Sequence, residues 1–408
     1  MGLIYEFTKT ESLENEVDNT IPKLSWIDYR NLGNPEIESQ HIPTYTTPVN
    51  MKEGVNPEIH DTSWIDYRNN WNGTILIKSD STKLILTDQY REAMRRKGAH
   101  PLTQLYPQLL DHTNTVRNNC LKVPGAFSNE ITTSSGVYIY FNDDYEVVNC
   151  AIPKVSSTMW GIEFARMINS PITLPKETRD KFRLTNVFTQ YSKTARCMQT
   201  YTKFFIYRHP FERLVSAYYD KFTLASQVWY VGKFGRDIIT VNYLNDNTQG
   251  SKYSELSLET KTKISNQQNR LKLPHGKYNI TFLEFVTYIA SFLDKNAVQD
   301  LDLHWRPISL QCNPCAVDYD IVIDHEFVVE ESQILADYLQ KNKKSNPPIN
   351  FVKEQRRATR DKCNQIFRDI PQNLREKLHK IYLTDFILFG YNYNGDSHDY
   401  ACDENIAK

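Results

Sequence analysis

Two short segments of this chain carry residues whose types and spacing suit anion binding. In Cys150-Ala-Ile-Pro-Lys-Val-Ser-Ser-Thr-Met-Trp a hydrophobic strand runs into a tight loop holding Lys154, Val155, Ser156, Ser157 and Thr158, and a helix is predicted directly after it. The first turn of a helix leaves N–H groups unpaired and its dipole favours negative charge there. Hydroxyls at that end bind either backbone or phosphate, and a lysine in the same loop adds a point charge. The segment is not a Walker loop, which needs glycines before the lysine. Taken alone, it also fits an ordinary Ser/Thr-capped helix.

The second segment, Phe205-Ile-Tyr-Arg-His-Pro-Phe-Glu-Arg-Leu-Val-Ser-Ala-Tyr-Tyr-Asp-Lys-Phe, follows about fifty residues later. It places Arg208 at the carboxyl end of a strand, where open α/β sheets bind ligands, and Pro210 in the first turn of the next helix. Phe211, Leu214, Val215, Tyr218 and Phe222 form one apolar stripe, and Ser216 lies off it. Arg208 as a bidentate fork and Ser216 as a hydroxyl donor can meet at one phosphate. Arg213 can do the same or pair with a carboxylate. Two anion cradles at neighbouring strand ends suit a ligand phosphorylated at two places.

These segments need a scaffold. Residues 137–141 and 145–152 read as strands, Met159–Ile168 as a helix, Lys203–Arg208 as a strand and 210–222 as a helix. Thr281–Leu293 carries apolar residues at helical spacing, Ile321-Val-Ile is a short buried strand, and Glu330–Gln340 and Gln372–Leu383 are further helices. Strands alternating with helices predict an α/β fold with a central, mostly parallel sheet covered by helices on both faces.

The chain has 408 residues and a net charge of −1, so no global field points to a nucleic-acid partner. Its hydrophobic fraction of 40% and aromatic fraction of 12% suit a packed core. Seven cysteines neither demand nor exclude an oxidising compartment. The sequons at Asn72 and Asn279 are compatible with a secretory route. No run approaches the roughly 18 apolar residues of a membrane span, and no signal is visible at Met1.

The first hundred residues differ in texture. Ser25-Trp-Ile-Asp-Tyr-Arg-Asn recurs at Ser63, and Asn34-Pro-Glu-Ile recurs at Asn56, with a polar, Pro-containing spacer. The expected division is a stalk or extended tail over 1–100, a catalytic domain over 101–396 and a tail over 397–408. Residues 82–97 are expected as a basic helix, either a solvated face or a contact for an anionic glycan.

The quoted motifs resemble a known family. Pro153-Lys-Val-x-x-Thr-x-Trp is similar to the 5′-phosphosulfate loop of the Golgi carbohydrate sulfotransferases related to the HNK-1, chondroitin 4-O- and dermatan 4-O-sulfotransferases. Arg208-His-Pro-Phe-Glu-Arg-Leu-Val-Ser-Ala-Tyr-x-x-Lys-Phe is similar to that family's 3′-phosphate site. His304-Trp-x-Pro, Cys312-x-Pro-Cys, Tyr319-Asp with Glu326, and Asp385-Phe-x-Leu-Phe-Gly-Tyr resemble its later blocks. The resemblance runs over about residues 117–393. The chain departs from it where Ser156-Ser-Thr-Met-Trp replaces Ala-Cys-Thr-Asn-Trp and after Tyr319-Asp.

The resemblance implies a P-loop-NTPase-like sulfotransferase fold and 3′-phosphoadenosine 5′-phosphosulfate (PAPS) as donor, with no metal. It further implies a glycan or proteoglycan acceptor and a type II protein of the Golgi lumen, whose membrane anchor this sequence does not contain. Lys154, Val155, Ser156, Ser157, Thr158, Arg208 and Ser216 would then bind the donor. Lys154 would stabilise charge on the leaving phosphate, and His304 would be the general base. His304 also fits a buried structural histidine; His209, Glu163 and Glu326 are the other candidates. Cys312 and Cys315 suit a disulfide, or zinc binding with His304. The alternatives are a non-catalytic glycan-binding relative and a nucleotide kinase, which would need P-loop glycines and a magnesium-binding aspartate after a hydrophobic strand.

Overall fold

The computed structural model describes residues 63–79, 83–123, 130–132, 139–167, 190–223, 228–243, 257–259, 261–262, 265–266, 280–341, 351, 357–393 and 402. The first SWIDYRN copy, the Asn279 sequon and nearly all of the 397–408 tail lie outside them.

A four-stranded sheet positions the Lys154 and Arg208 segments. It runs in the order β4 (Ile139–Asn142), β5 (Val147–Cys150), β6 (Thr202–Tyr207), β7 (Ile321–Asp324). The pairs β5–β6 and β6–β7 are parallel, with Cys150 opposite Phe205 and Tyr207 opposite Asp324. Every residue of these four strands is buried, as expected for strands covered on both faces. The pair β4–β5 is antiparallel. Only residues 143–146 join them, and so short a link closes a hairpin rather than a crossover.

Alternation along β6 sends its side chains to both faces. Phe204 packs on Trp160 of α5 (Ser157–Met167), with ring centroids 4.6 Å apart. Trp160 Nε1 donates to Ser332 Oγ at 2.9 Å, which brings a later helix, Val328–Gln340, to the same face. Phe205 and Tyr207 face the other way, onto Phe389 at the end of the helix Gln372–Leu388. His112, on the helix Pro107–Asn119, meets Tyr207 on that side too. Helices therefore cover both faces, as the alternation of elements predicts.

Among the described residues four helices precede α5: α1 (Ser63–Asn69), α2 (Asp88–Arg96), α3 (Pro101–Leu105) and α4 (Pro107–Asn119). The later helices are α6 (Tyr191–Thr200), α7 (Pro210–Tyr218), α8 (Val228–Tyr243), α9 (Phe282–Asp294), the short α10 (Ser309–Cys312) and α11 (Pro314–Val317), α12 (Val328–Gln340), α13 (Arg357–Arg368) and α14 (Gln372–Leu388). A capping box between Thr281 and Glu284 starts α9 where its apolar periodicity begins. Gly390, with φ 72°, ends α14 in the left-handed turn that favours glycine.

The amino-terminal part differs from expectation. Residues 83–86 form β2, not the start of a helix; β2 pairs with β1 (Ile77–Ser79) and β3 (Glu130–Thr132) in a small antiparallel sheet. The alternation Leu84, Leu86 buried against Lys83, Ile85 half-buried is a strand period. The second SWIDYRN copy is α1, within the folded unit that runs from Pro57 onward. Its Trp64 is fully buried and donates from Nε1 to Asp320 at 3.0 Å. Asp320 also takes Lys97 Nζ at 2.7 Å and Lys203 Nζ at 3.3 Å, all three residues being buried. This ion cluster at the amino ends of β6 and β7 ties α1 and the end of α2 to the sheet. Arg95 and Arg96, expected as possible glycan contacts, pair with Glu92 on the exposed face of α2.

Candidate active site

At the opposite, carboxyl end of the sheet, β5 stops at Cys150 and residues 151–156 turn into α5. Lys154 and Ser156 both take left-handed backbone, with φ 72° and 69°. That conformation costs a non-glycine residue on the order of 1 kcal/mol or more, so surrounding contacts must hold the loop. The Trp160 amide bonds to the Ser156 carbonyl at 3.3 Å, and the amides of the first turn ahead of it lack intrahelical acceptors. Val155 is buried beneath the loop, while Ser156 and Ser157 are half-buried and Thr158 is exposed. The hydroxyls of these three residues have no hydrogen-bond partner among the described residues.

Two arginines from the neighbouring segment hold this loop. Arg208, just past β6, donates from Nη1 to the Lys154 carbonyl at 3.3 Å and from Nε to Glu212 at 3.1 Å. Nη2 has no hydrogen-bond partner among the described residues, so its two N–H groups and one of Nη1 are left for a fork. Arg213 is fully buried and spends its guanidinium on backbone carbonyls. It donates to Pro153 at 3.0 Å, Arg306 at 2.7 Å and Leu303 at 2.8 Å. It is therefore neither a phosphate ligand nor a carboxylate partner: it clamps the Lys154 loop to the His304 block. Glu212 and Ser216 stand one turn apart on α7 and share a face. Ser216 is half-buried there, and its hydroxyl has no hydrogen-bond partner among the described residues.

The helix continues past α7 as a π turn, Tyr219–Thr223, a local form frequent at functional sites. It presents Asp220 and Lys221 to the loop. Asp220 Oδ2 lies 3.0 Å from Lys154 Nζ and 3.0 Å from Lys221 Nζ. Burial pushes the Asp220 carboxyl up, but the two ammonium groups outweigh it and hold it below the ordinary range. Burial lowers Lys154 against the pull of Asp220. Lys221 Nζ sits 4.4 Å from the Tyr230 ring centroid, and the Tyr230 hydroxyl lies 2.9 Å from His304 Nδ1.

His304 Nδ1 is 2.7 Å from Asp302 Oδ1, which also accepts the His304 amide at 3.0 Å. Burial pushes the Asp302 carboxyl up, but the bonds from His304 outweigh it and keep the group ionised. An ionised carboxylate only accepts, so Nδ1 carries the proton and Nε2 keeps its lone pair. No described residue bonds to Nε2. Burial, reinforced by Lys221 and Lys154, holds the imidazole below its usual value despite Asp302. A neutral imidazole with a free Nε2 beside two ammonium groups can accept a proton.

Carboxyl-terminal residues fix this block. The buried Asp385 carboxylate accepts the amides of Ile308 at 2.6 Å and Ser309 at 2.8 Å, and the Tyr382 hydroxyl bonds to the Trp305 carbonyl. A disulfide, Cys150–Cys312, ties the end of β5 to α10, and Cys120–Cys315 and Cys363–Cys402 add two more. Cys312 and Cys315 are consumed in these bonds and do not offer thiolates for zinc.

The other base candidates stand apart from this array. His209 is buried among Phe211, Phe386 and Tyr391, its pKa lowered to about 3 by burial. Glu163 pairs with Arg166 at 2.6 Å on α5, and Glu326 lies 3.4 Å from Arg360. Sequence reasoning passed over Asp220, Lys221, Tyr230 and Asp302. Asp302, two residues before His304, was the legible one: a carboxylate at that spacing can reach its own neighbour's imidazole. It also passed over Asp324, which closes the hydrophobic strand β7; there it accepts from the Tyr207 hydroxyl at 2.9 Å and the Glu326 amide at 2.9 Å.

One chain of contacts thus runs from Arg208 through the Lys154 loop, Asp220, Lys221 and Tyr230 to the His304–Asp302 pair. The chain belongs to the sulfotransferase family, which it matches over residues 137–392. It is 27% identical to mouse carbohydrate sulfotransferase 12 over 62% of this chain and 60% of that protein. It is 24% identical to rat carbohydrate sulfotransferase 11 over 73% of this chain and 83% of the relative. Human carbohydrate sulfotransferase 9 is 26% identical over 62% of this chain and 53% of that protein. The chain thus spans less than two thirds of two of these relatives. No solved structure matches it. The relatives it matches are carbohydrate sulfotransferases.

Proposed function

We propose that this protein transfers a sulfuryl group from PAPS to a hydroxyl of a glycan, with the donor held between the Lys154 loop and Arg208. The observation that carries this reading is the bond from Arg208 Nη1 to the Lys154 carbonyl. It makes the two anion cradles one continuous site, on adjoining parallel strands, as a ligand with two phosphorylated ends requires. The unpartnered hydroxyls of Ser156, Ser157, Thr158 and Ser216 fit the same ligand, in a P-loop-like setting of strand, loop and helix.

When bound, the donor supplies an activated sulfuryl group on its 5′-phosphate. The first-turn amides of α5 and the hydroxyl of Thr158 bind that end, and Arg208 Nη2 with Ser216 bind the 3′-phosphate. Lys154 Nζ exchanges Asp220 for the leaving phosphate and offsets its developing charge. His304 Nε2 takes the proton of the acceptor hydroxyl as the oxygen–sulfur bond forms, and Asp302 stabilises the resulting imidazolium. The three disulfides suit an oxidising lumen, which supports residence in the Golgi. Among the described residues no helix is long and apolar enough to cross a membrane.

The test is transfer of radiolabelled sulfate from PAPS to a panel of glycans. Lys154→Ala and Arg208→Ala should each lower transfer by about a hundredfold or more in a folded protein. Full transfer in both variants would reject the site.

A further inference from the structure

The sequon Asn72-Gly-Thr lies in the link between α1 and β1, and all three of its residues are exposed. The link is held in place. Gln199 of α6 accepts the Leu76 amide at 3.0 Å and donates to the Thr74 carbonyl at 3.0 Å, and Trp71 Nε1 donates to the same carbonyl at 3.3 Å. Gly73 turns with φ 81°, in the left-handed region that favours glycine, and a Cβ there would meet nothing within 4 Å. Around that turn the Thr74 amide and hydroxyl both donate to Asn72 Oδ1, at 3.1 and 2.6 Å. Asn72 Nδ2 has no hydrogen-bond partner among the described residues.

Beside the sequon is a hollow of about 400 Å³, lined by Arg68, Asn69, Trp71, Glu146, Arg196 and Thr200. Its volume is that of a site for a small ligand, about 300–1,000 Å³. Trp71 adjoins Asn72 in the chain and forms part of the wall. Glu146 directly precedes β5, so the hollow stands at the amino end of that strand, away from the Lys154 loop. Arg68 and Arg196 both pair with Glu146. A guanidinium has five N–H donors, so these pairings leave donors over for further oxygens. An indole beside spare guanidinium donors matches an N-acetylhexosamine: the C–H face of its ring stacks on the indole, and its hydroxyl and acetamido oxygens accept from the arginines.

We infer that Asn72 carries an N-linked glycan whose first N-acetylglucosamine packs on Trp71 at the mouth of this hollow. In the modification Nδ2 forms a bond to the anomeric carbon of that sugar. The bond from the same carbon to the oxygen of a lipid-linked pyrophosphate breaks, the pyrophosphate leaves with the bonding pair, and Nδ2 gives up one proton. The lipid-linked oligosaccharide comes from the secretory route, whose oxidising lumen the three disulfides suit. A bulky, hydrophilic chain is accommodated at this exposed turn, and the inference is independent of the donor site.

The test uses the full chain directed into the secretory route of animal cells held to high-mannose glycans. Peptide mass spectrometry should find Asn72 glycosylated. Thr74→Ser should keep the modification, and Asn72→Gln and Thr74→Ala should lose it. Seating is read by thermal unfolding. Trimming the glycan to its first sugar with an endoglycosidase should leave the midpoint unchanged, whereas complete removal with a peptide N-glycosidase should lower it by about 2 °C. In Trp71→Ala the trimmed and the fully deglycosylated forms should unfold together, because the sugar has lost its platform. That comparison also controls for the Asp that the second enzyme leaves behind. An unmodified Asn72, or a midpoint indifferent to removal of the first sugar, would overturn the inference. Neither readout uses PAPS, so the result stands whichever way the sulfate-transfer assay falls.

Discussion

Replacing Asp302 by asparagine probes how the base is tuned. In the structure one oxygen of Asp302 accepts both the His304 amide and Nδ1–H, at 3.0 and 2.7 Å. The substituted carboxamide would keep its carbonyl oxygen on those two donors, so the ring should stay in place and in the same tautomer. What is lost is charge. A hydrogen bond to a charged group contributes about 1.5–3 kcal/mol, against about 0.5–1.5 for a neutral one. The difference, about 1–1.5 kcal/mol, corresponds to roughly a five- to tenfold loss in kcat/KM, and the loss of the carboxylate's charge lowers the His304 pKa further. Burial already holds that imidazole below its usual value. The acid limb of kcat/KM for the acceptor should therefore move to still lower pH, with a lower plateau through neutral pH. The assay is sulfate transfer at saturating PAPS, followed from acid to neutral pH. An Asp302→Asn variant with an unchanged plateau and an unmoved limb would refute the dyad. A loss of roughly a thousandfold or more would show instead that the carboxylate fixes the ring's geometry or tautomer.

Other perturbations test the scaffold. Asp320→Asn would leave Lys97 and Lys203 buried without their counter-charge, and should cost about 3–5 kcal/mol in urea unfolding; a loss under about 1 kcal/mol would count against the cluster. Lys203 and Lys97 hold the Asp320 carboxyl far below its usual range despite burial. Its contribution is thus present above the ordinary carboxylate pKa and lost as pH falls below it, visible as a falling urea midpoint in acid. Replacing both Cys150 and Cys312 by Ala opens a link spanning 162 residues and should cost about 2–5 kcal/mol; an unchanged midpoint would mean that the loop and the His304 block hold without it.

The elements that carry the site were legible because their signals are local. The alternation of strand and helix, Pro210 in a first turn and the run of Ile321-Val-Ile all survive in the structure. The β4–β5 hairpin was legible too, in the four residues between its strands, but the wider α/β rhythm masked it. In the amino-terminal region the strand over 83–86 and the burial of Trp64 were not legible. Its burial depends on Asp320, 256 residues away, which no local pattern reveals. The same holds for Arg213, whose three carbonyl partners come from two other segments, and for Asp220, which becomes part of the site only because a π turn aims it at Lys154.

The central claim is that the Lys154 loop and Arg208 bind one nucleotide. Calorimetric titration of the full chain with 3′-phosphoadenosine 5′-phosphate (PAP) tests it most directly, with adenosine 5′-monophosphate as the control that lacks the 3′-phosphate. The account predicts that PAP binds at least about tenfold more tightly than the monophosphate. It predicts also that Arg208→Ala removes that preference and that Lys154→Ala weakens both ligands. Equal affinity for the two nucleotides, undisturbed by either substitution, would contradict it.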